Sequence, residues 1–368
     1  MNWLRLREMV RKELRLMFRD PRMARLVFIS PIIQLVVFGY AVTTDVHNTP
    51  TYVVDLDQTQ ESRSLVATLT AGGYFRVVGR SDRPSDLRRV LDRGDALFGL
   101  EIPRGFASDL SQGQAVVQIL VDGTSANTAT TAQGYAVGIV NDFGSKAIPI
   151  RGTPSGVELR AQVWYNSNLE SRVYNVPATA GIIILLMCLM LTSLSIVRER
   201  ELGTLEQLMV SPLRPVELIL GKTLPVVGVA MIDLLLVSLV ATLWFGIPIR
   251  GSISLLVLSS LFYVVAGLGM GLLVSTISDT QQEAFMSMYL IFLPAMLLSG
   301  FMFPVSSMPE VFQKITLLNP IRYFLETLRS IFLKGAGISV LWPQVLALAV
   351  MGVVALGFAT RRFRKRIG

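Results

Sequence analysis

Residues 198–222 read RERELGTLEQLMVSPLRPVELILGK, the one long polar interruption between two long apolar runs. Leu202, Leu205, Leu208 and Met209 recur at helical spacing while Glu201, Thr204 and Gln207 fall on the other faces, the pattern of a short amphipathic helix. Pro212 and Pro215 set its end, because proline offers no N–H and clashes with the turn before it. Two readings fit. The stretch is either a stiff handle by which a soluble partner moves two flanking spans, or a charged loop that snorkels at the lipid boundary.

Composition fixes what surrounds it. The chain has 368 residues, 52% hydrophobic and only 16% charged, with a mean hydropathy of +0.54. Soluble domains carry roughly 25% charged residues, so an integral membrane protein is expected. The net charge of +8 sits beside apolar runs and not in an aromatic-rich basic patch, which argues against nucleic-acid binding. One cysteine, Cys188, excludes an internal disulfide, and one histidine, His47, excludes a histidine-based metal cluster. No hydrolytic triad, zinc site or other conventional active site is legible.

Outward from the handle, residues 177–197 form one span and 223–247 the next; Asp233 lies near mid-depth of the latter. An acid there costs about 2.5–3.5 kcal/mol on the insertion scale. It either lines a translocation path or hydrogen-bonds a neighbouring helix. Upstream, residues 1–25 carry eight basic residues against three acids, with Trp3, Leu6, Met9, Val10, Leu14 and Met17 at helical spacing. That predicts an amphipathic helix in the headgroup layer. Residues 26–44 are a charge-free first span, read as an uncleaved anchor. Residues 45–176 have globular composition, twelve basic and fourteen acidic residues. Strands at 51–56, 74–79, 96–102 and 115–121 alternate with helices at 60–71, 84–91, 104–110 and 124–144, a small α/β domain outside the membrane. Asp55, Asp57 and Asp122 stand at its strand ends, where capping of the next helices is the expected role and a cation site the rival.

Downstream, residues 253–276 form a fourth span whose Gly267-x-x-x-Gly271 spacing permits close helix contact. Residues 284–303 form a fifth, kinked at Pro294. Residues 304–337 read as short helices dipping into the outer leaflet, with Arg322, Glu326 and Arg329 spaced to pair along one helix. Residues 338–360 are the sixth span and 361–368 a basic tail. Six spans with both ends in the cytosol place 17 of the 34 lysines and arginines in four short cytosolic pieces, in keeping with the positive-inside rule.

A transporter needs a source of free energy. Gly221-Lys222-Thr223 suggests a phosphate loop, but position 216, where that loop needs glycine, is Val216. At this point two motifs matter. The run GTLEQLMVSPLRPVELILGK resembles the cytosolic signature of type-2 ABC exporter permeases, and FPVSSMPEVFQKITLLNPIRYFLETLRSIFLKG is similar to their stretch before the last span. VVDLDQTQESRSL, YFRVV and VDGTSANTA resemble the exported domain of the drug- or amphiphile-exporting subfamily with a large loop after the first span.

The resemblance implies a polytopic α-helical membrane protein working as a dimer with a second permease copy or paralogue. Each half would be served by a separate cytosolic ATPase that carries the ATP and magnesium, with no cofactor in this chain. It makes Arg198, Glu199, Arg200, Glu201, Gly203, Thr204, Leu205, Glu206, Gln207 and Leu208 the segment that docks in the ATPase, the charges pairing with it and Leu205 and Leu208 anchoring. It also implies a bacterial inner-membrane location and a periplasmic membrane-fusion adaptor as partner of the exported domain. The competing expectation is a non-transporting sensor or scaffold with an external ligand-binding domain.

Overall fold

The computed structural model describes residues 3–19, 21–41, 48–124, 126–147, 170–204 and 215–367. They fall into two compact units, 44–162 and the remainder.

The smaller unit is the α/β domain. Its sheet runs β2-β1-β3-β4, built from β1 (Thr49–Asp55), β2 (Phe75–Ser81), β3 (Phe98–Ile102) and β4 (Gln118–Val121). The first three are parallel and β4 is antiparallel to β3. Alternation decides the faces: Phe98, Leu100 and Ile102 point to one side. There they join Val53 under α3 (Gln60–Ala71), α5 (Phe106–Ser111) and α6 (Ala126–Ala147), where Leu65, Leu69, Phe106 and Ala136 are buried. Helix α4 (Pro84–Asp92) covers the opposite face and seats Leu87 over Gly99, where a Cβ would come within 2.6 Å of it. The strands and helices fall within three residues of the positions the alternation predicts.

The larger unit is a helical bundle centred on α7 (Ser171–Glu201), whose residues from Asn175 to Ser193 are almost all buried. It packs against α2 (Pro21–Ala41), α8 (Pro215–Leu243), α9 (Ile253–Ile277), α10 (Gln281–Leu297) and α12 (Pro320–Arg329). Glycine sets the closest approaches. Gly267 and Gly271 present bare backbone to Cys188 and Thr192 of α7, while Gly269 lies against Ala355 of α13 (Ile338–Ile367). A Cβ on Gly269 would lie 2.7 Å from the Ala355 backbone, so the helices meet only because it is absent.

At the other end of α7, α12 lays Ile321, Phe324, Leu325 and Leu328 into the bundle, all buried and at helical spacing. The Phe324 ring stacks on Tyr263 at 4.0 Å, and the Tyr263 hydroxyl donates to the Gly181 carbonyl at 2.8 Å. Within 304–337, residues 319–333 are therefore wedged into the core, whereas 304–318, with the short helix α11 (Glu310–Ile315), are mostly exposed. A π-turn, Ser330–Lys334, ends at Gly335 in the left-handed region (φ 67°).

Four helices among the described residues are long and apolar enough to cross a bilayer: Ser171–Glu201, Val216–Leu243, Ile253–Ile277 and Ile338–Arg362. The other two expected spans are helical as well: α2 has 21 residues, and α10 has 17. Seventeen residues rise about 25 Å, less than the roughly 30 Å hydrocarbon thickness. Pro294 supplies no N–H near the end of α10, and Gly300 turns the chain at φ 83°, which shortens the expected 284–303 span. Three further boundaries differ from expectation. Helix α7 starts at Ser171 and runs through Glu201, Pro215 opens α8 as a first-turn proline, and α13 continues through the basic tail to Ile367.

Candidate functional site

The expected handle begins where α7 ends. Gly203 adopts φ 71°, its N–H donating to the Arg200 carbonyl, and the Thr204 hydroxyl donates to the Glu199 carbonyl. Glycine suits this exit because a side chain at that φ is strained. Leu205, Glu206, Gln207 and Leu208 lie outside the described residues.

Three of the charges expected to meet a partner, Glu199, Arg200 and Glu201, make contacts within the chain. Glu199 turns inward: its Oε2 is 2.8 Å from Lys222 Nζ and its Oε1 accepts from Lys12 at 2.9 Å. Arg200 donates to the carbonyls of Ser275 (2.9 Å) and Ser278 (2.6 Å), satisfying the end of α9, and sits 3.4 Å from Asp279. Glu201 accepts from the Gln281 amide side chain at 2.7 Å. Arg198 and Leu202 are exposed, Leu202 with 66% of its surface accessible.

Helix α1 (Trp3–Arg19) joins this end of α7. Its Leu6 and Met9 are buried, Met9 lying on bare Gly221 beside Ile196, Leu218 and Ile219. The amphipathic helix expected in the headgroup layer thus packs one edge on the bundle. Trp3, Leu4, Leu16 and Phe18 remain exposed on it.

Asp233 is fully buried on α8, and neither carboxylate oxygen has a hydrogen-bond partner among the described residues. The expected helix-to-helix hydrogen bond is thus not found there, and its electrostatic neighbour is Cys188 of α7. Arg322 and Arg329 also depart from expectation: neither forms an ion pair with Glu326, which is exposed. Arg322 donates to the Thr316 hydroxyl and to the Gln313 carbonyl, the latter at 3.4 Å. Arg329 donates to the Gly300 carbonyl at 3.2 Å and lies 3.6 Å over the Tyr174 ring. These contacts tie α12 to the end of α10 and the start of α7.

A cleft of about 140 Å³ opens between α2, α7 and α10. Gln34, Phe38, Thr179, Ile183, Phe292 and Met296 are among its walls. It is apolar, with two uncharged polar groups.

In the α/β domain the acids serve as caps. Asp57 accepts from the Gly105 N–H (2.8 Å), the Ala107 N–H (3.0 Å) and the Thr59 hydroxyl (2.7 Å). Desolvation pushes its pKa up, but these hydrogen bonds together outweigh it and hold the carboxyl below the usual carboxylate range. Asp122 is likewise lowered by Thr124, whose N–H donates to it at 2.9 Å. No cluster of metal-ligating side chains occurs among the described residues.

The arrangement defines a membrane-embedded helical subunit with braced helix ends and an apolar cleft. The chain belongs to a known family: the model described as "ABC-2 family transporter protein" matches residues 24–361. The chain is 32% identical to "Probable multidrug ABC transporter permease YbhR" of Escherichia coli K12, over 99% of both chains. It is 31% identical to "Probable multidrug ABC transporter permease YbhS" of the same organism, over 100% of this chain and 98% of that one. To "Inner membrane transport permease YhhJ" it is 30% identical, over 97% and 96%. The chain is thus an ABC-2 membrane subunit, the permease side of an ABC transporter, and the sensor alternative finds no support.

Proposed function

We propose that this permease exports a hydrophobic or amphiphilic compound, drug-like in its physical properties, across the bacterial inner membrane. A separate cytosolic ATPase supplies the work and holds the ATP and magnesium. Six spans, two of them built on α2 and α10, keep both termini in the cytosol and the α/β domain outside. Residues 205–214, with Arg198 and Leu202 at their edge, dock in the ATPase; Leu205 and Leu208 are the apolar anchor. The observation that carries this reading is where the residues on either side of that segment lie. Thr204 and Pro215, which bound it in sequence, lie at the ends of two long apolar helices, and Glu199, Arg200 and Lys222 of those helices are held within the chain.

ATP closes two ATPase subunits on one another and draws the docked segments of two permease copies together. Helices α7 and α8 tilt with them, and the cleft lined by Gln34, Thr179 and Phe292 changes shape around the cargo. The apolar outer face of α10, with Met286, Tyr289 and Leu290 exposed, is available to the second copy or to lipid. The α/β domain hands cargo to a periplasmic adaptor. Leu205→Glu should abolish ATP-dependent ethidium export while the chain still inserts and reaches its normal level. Unchanged export in that variant would remove the handle from the account.

A further inference from the structure

Lys222 is an odd residue to bury. It lies two turns into α8 with 2% of its side chain exposed, and its ammonium meets Glu199 at 2.8 Å, the Ser195 carbonyl at 3.1 Å and Glu13 at 3.2 Å. The contacts to Ser195 and Glu13 are hydrogen bonds, and the one to Glu199 is an ion pair. Glu199 also takes Lys12 at 2.9 Å, and Lys12 lies 3.7 Å from Glu13. Lys222, Glu199, Lys12 and Glu13 thus close a ring of alternating charge, with no net charge, that joins α1, α7 and α8. Beneath it Met9 lies on Gly221, leaving no room for a side chain at 221.

A helix that only rests on lipid needs no such ring. Apolar residues would hold the seam as well, since buried ion pairs add little net stability over well-packed hydrophobes. What alternating charges add is a fixed relative placement of three helices. Glu199 lies on α7 ahead of the handle and Lys222 on α8 after it, so the two helices that flank residues 205–214 in sequence meet at this ring. We infer that the Glu13–Lys222–Glu199–Lys12 ring is the joint through which handle movement reaches α1, with Lys222 as its positioning residue. Helix α1 then travels with the inner ends of α7 and α8 in each cycle. The inference rests on the reading of 205–214 as the ATPase contact.

The test uses the permease reconstituted with its ATPase in liposomes, with ethidium as cargo. Co-purification is scored first: a wild-type chain that binds no ATPase overturns the handle reading and the joint together. With the ATPase bound, Lys222→Met should keep association and basal ATP hydrolysis while ethidium moved per ATP falls about tenfold, as expected for a residue on a coupling route. Lys222→Arg should keep most of it. Should Lys222→Met fail to insert, the apolar triple variant Lys222→Met, Glu13→Leu, Glu199→Leu replaces it, and it too must lose coupling. Undiminished ethidium per ATP in either variant overturns the joint while leaving the handle standing. On a Cys188→Ala background, a short bis-maleimide joining Lys12→Cys to Glu199→Cys should restore coupling lost in the unlinked form. A cross-linked chain that stays uncoupled also overturns it.

Discussion

The two ends of α7 are held by opposite means. At its handle end the contacts are charges: Glu199 with Lys222 and Lys12, Arg200 on the carbonyls of Ser275 and Ser278, Glu201 on Gln281. Toward its start the contacts are shapes: Gly181 under Phe324, Leu325 and Leu328, with Tyr263 stacked on Phe324. Dispersion and close packing fall off steeply with separation, so the shape-held end is stiff and defines the fold. Alternating charges fix which helix faces which while adding little net stability, so the charge-held end suits transmission of movement. The difference teaches where stability and function part company in one helix.

That contrast can be broken experimentally. Phe324→Ala, a fully buried ring removed from the shape-held end, should cost about 3–5 kcal/mol. The readout is the thermal midpoint of the detergent-purified permease, and bound ATPase molecules that survive this change should still hydrolyse ATP. A comparable fall in midpoint from the apolar triple variant of the charge ring would erase the distinction. Tyr263→Phe should cost only about 1 kcal/mol, because it deletes one hydrogen bond to Gly181 and retains the stacked ring. A midpoint loss as large as that of Phe324→Ala would place the hydroxyl, not the ring, at the centre of that seam.

The smallest effect is expected in the α/β domain. Asp57 has a lowered folded pKa, so its contribution is present above the unfolded value of 3.8 and is lost as pH falls through the lower folded value. Asp57→Asn should therefore narrow the difference in stability between neutral and acidic pH, with little change at the acidic end. Urea unfolding followed by tryptophan-independent circular dichroism at the two pH values reads it. A steeper acid loss in Asp57→Asn would contradict the capping role.

Much of the architecture was legible in the chain. Alternation in VVDLDQ and FGLEI, with helix-period stretches between, gives the α/β order because a half-buried strand requires period two. The Gly267–Gly271 spacing likewise marks a tight helix contact wherever it occurs in an apolar run. The roles of Glu199, Arg200 and Lys222 were not legible. A charge at a helix end reads the same whether it faces solvent or a partner 187 residues away, as Glu199 does with Lys12. Arg322 and Arg329 failed for a similar reason: i,i+4 spacing permits a pair with Glu326, but tertiary acceptors at Thr316, Gly300 and Tyr174 were nearer. The short α10 turns on where the chain bends after Pro294, which hydropathy does not record.

The account depends on a lever in this chain that another protein drives. The direct measurement is ethidium accumulation in liposomes holding the permease alone, then the permease with its co-purified ATPase, each with ATP and magnesium on the ATPase side. The account predicts no uphill movement in the first and steady uphill movement in the second. Concentrative transport by the permease alone would contradict it.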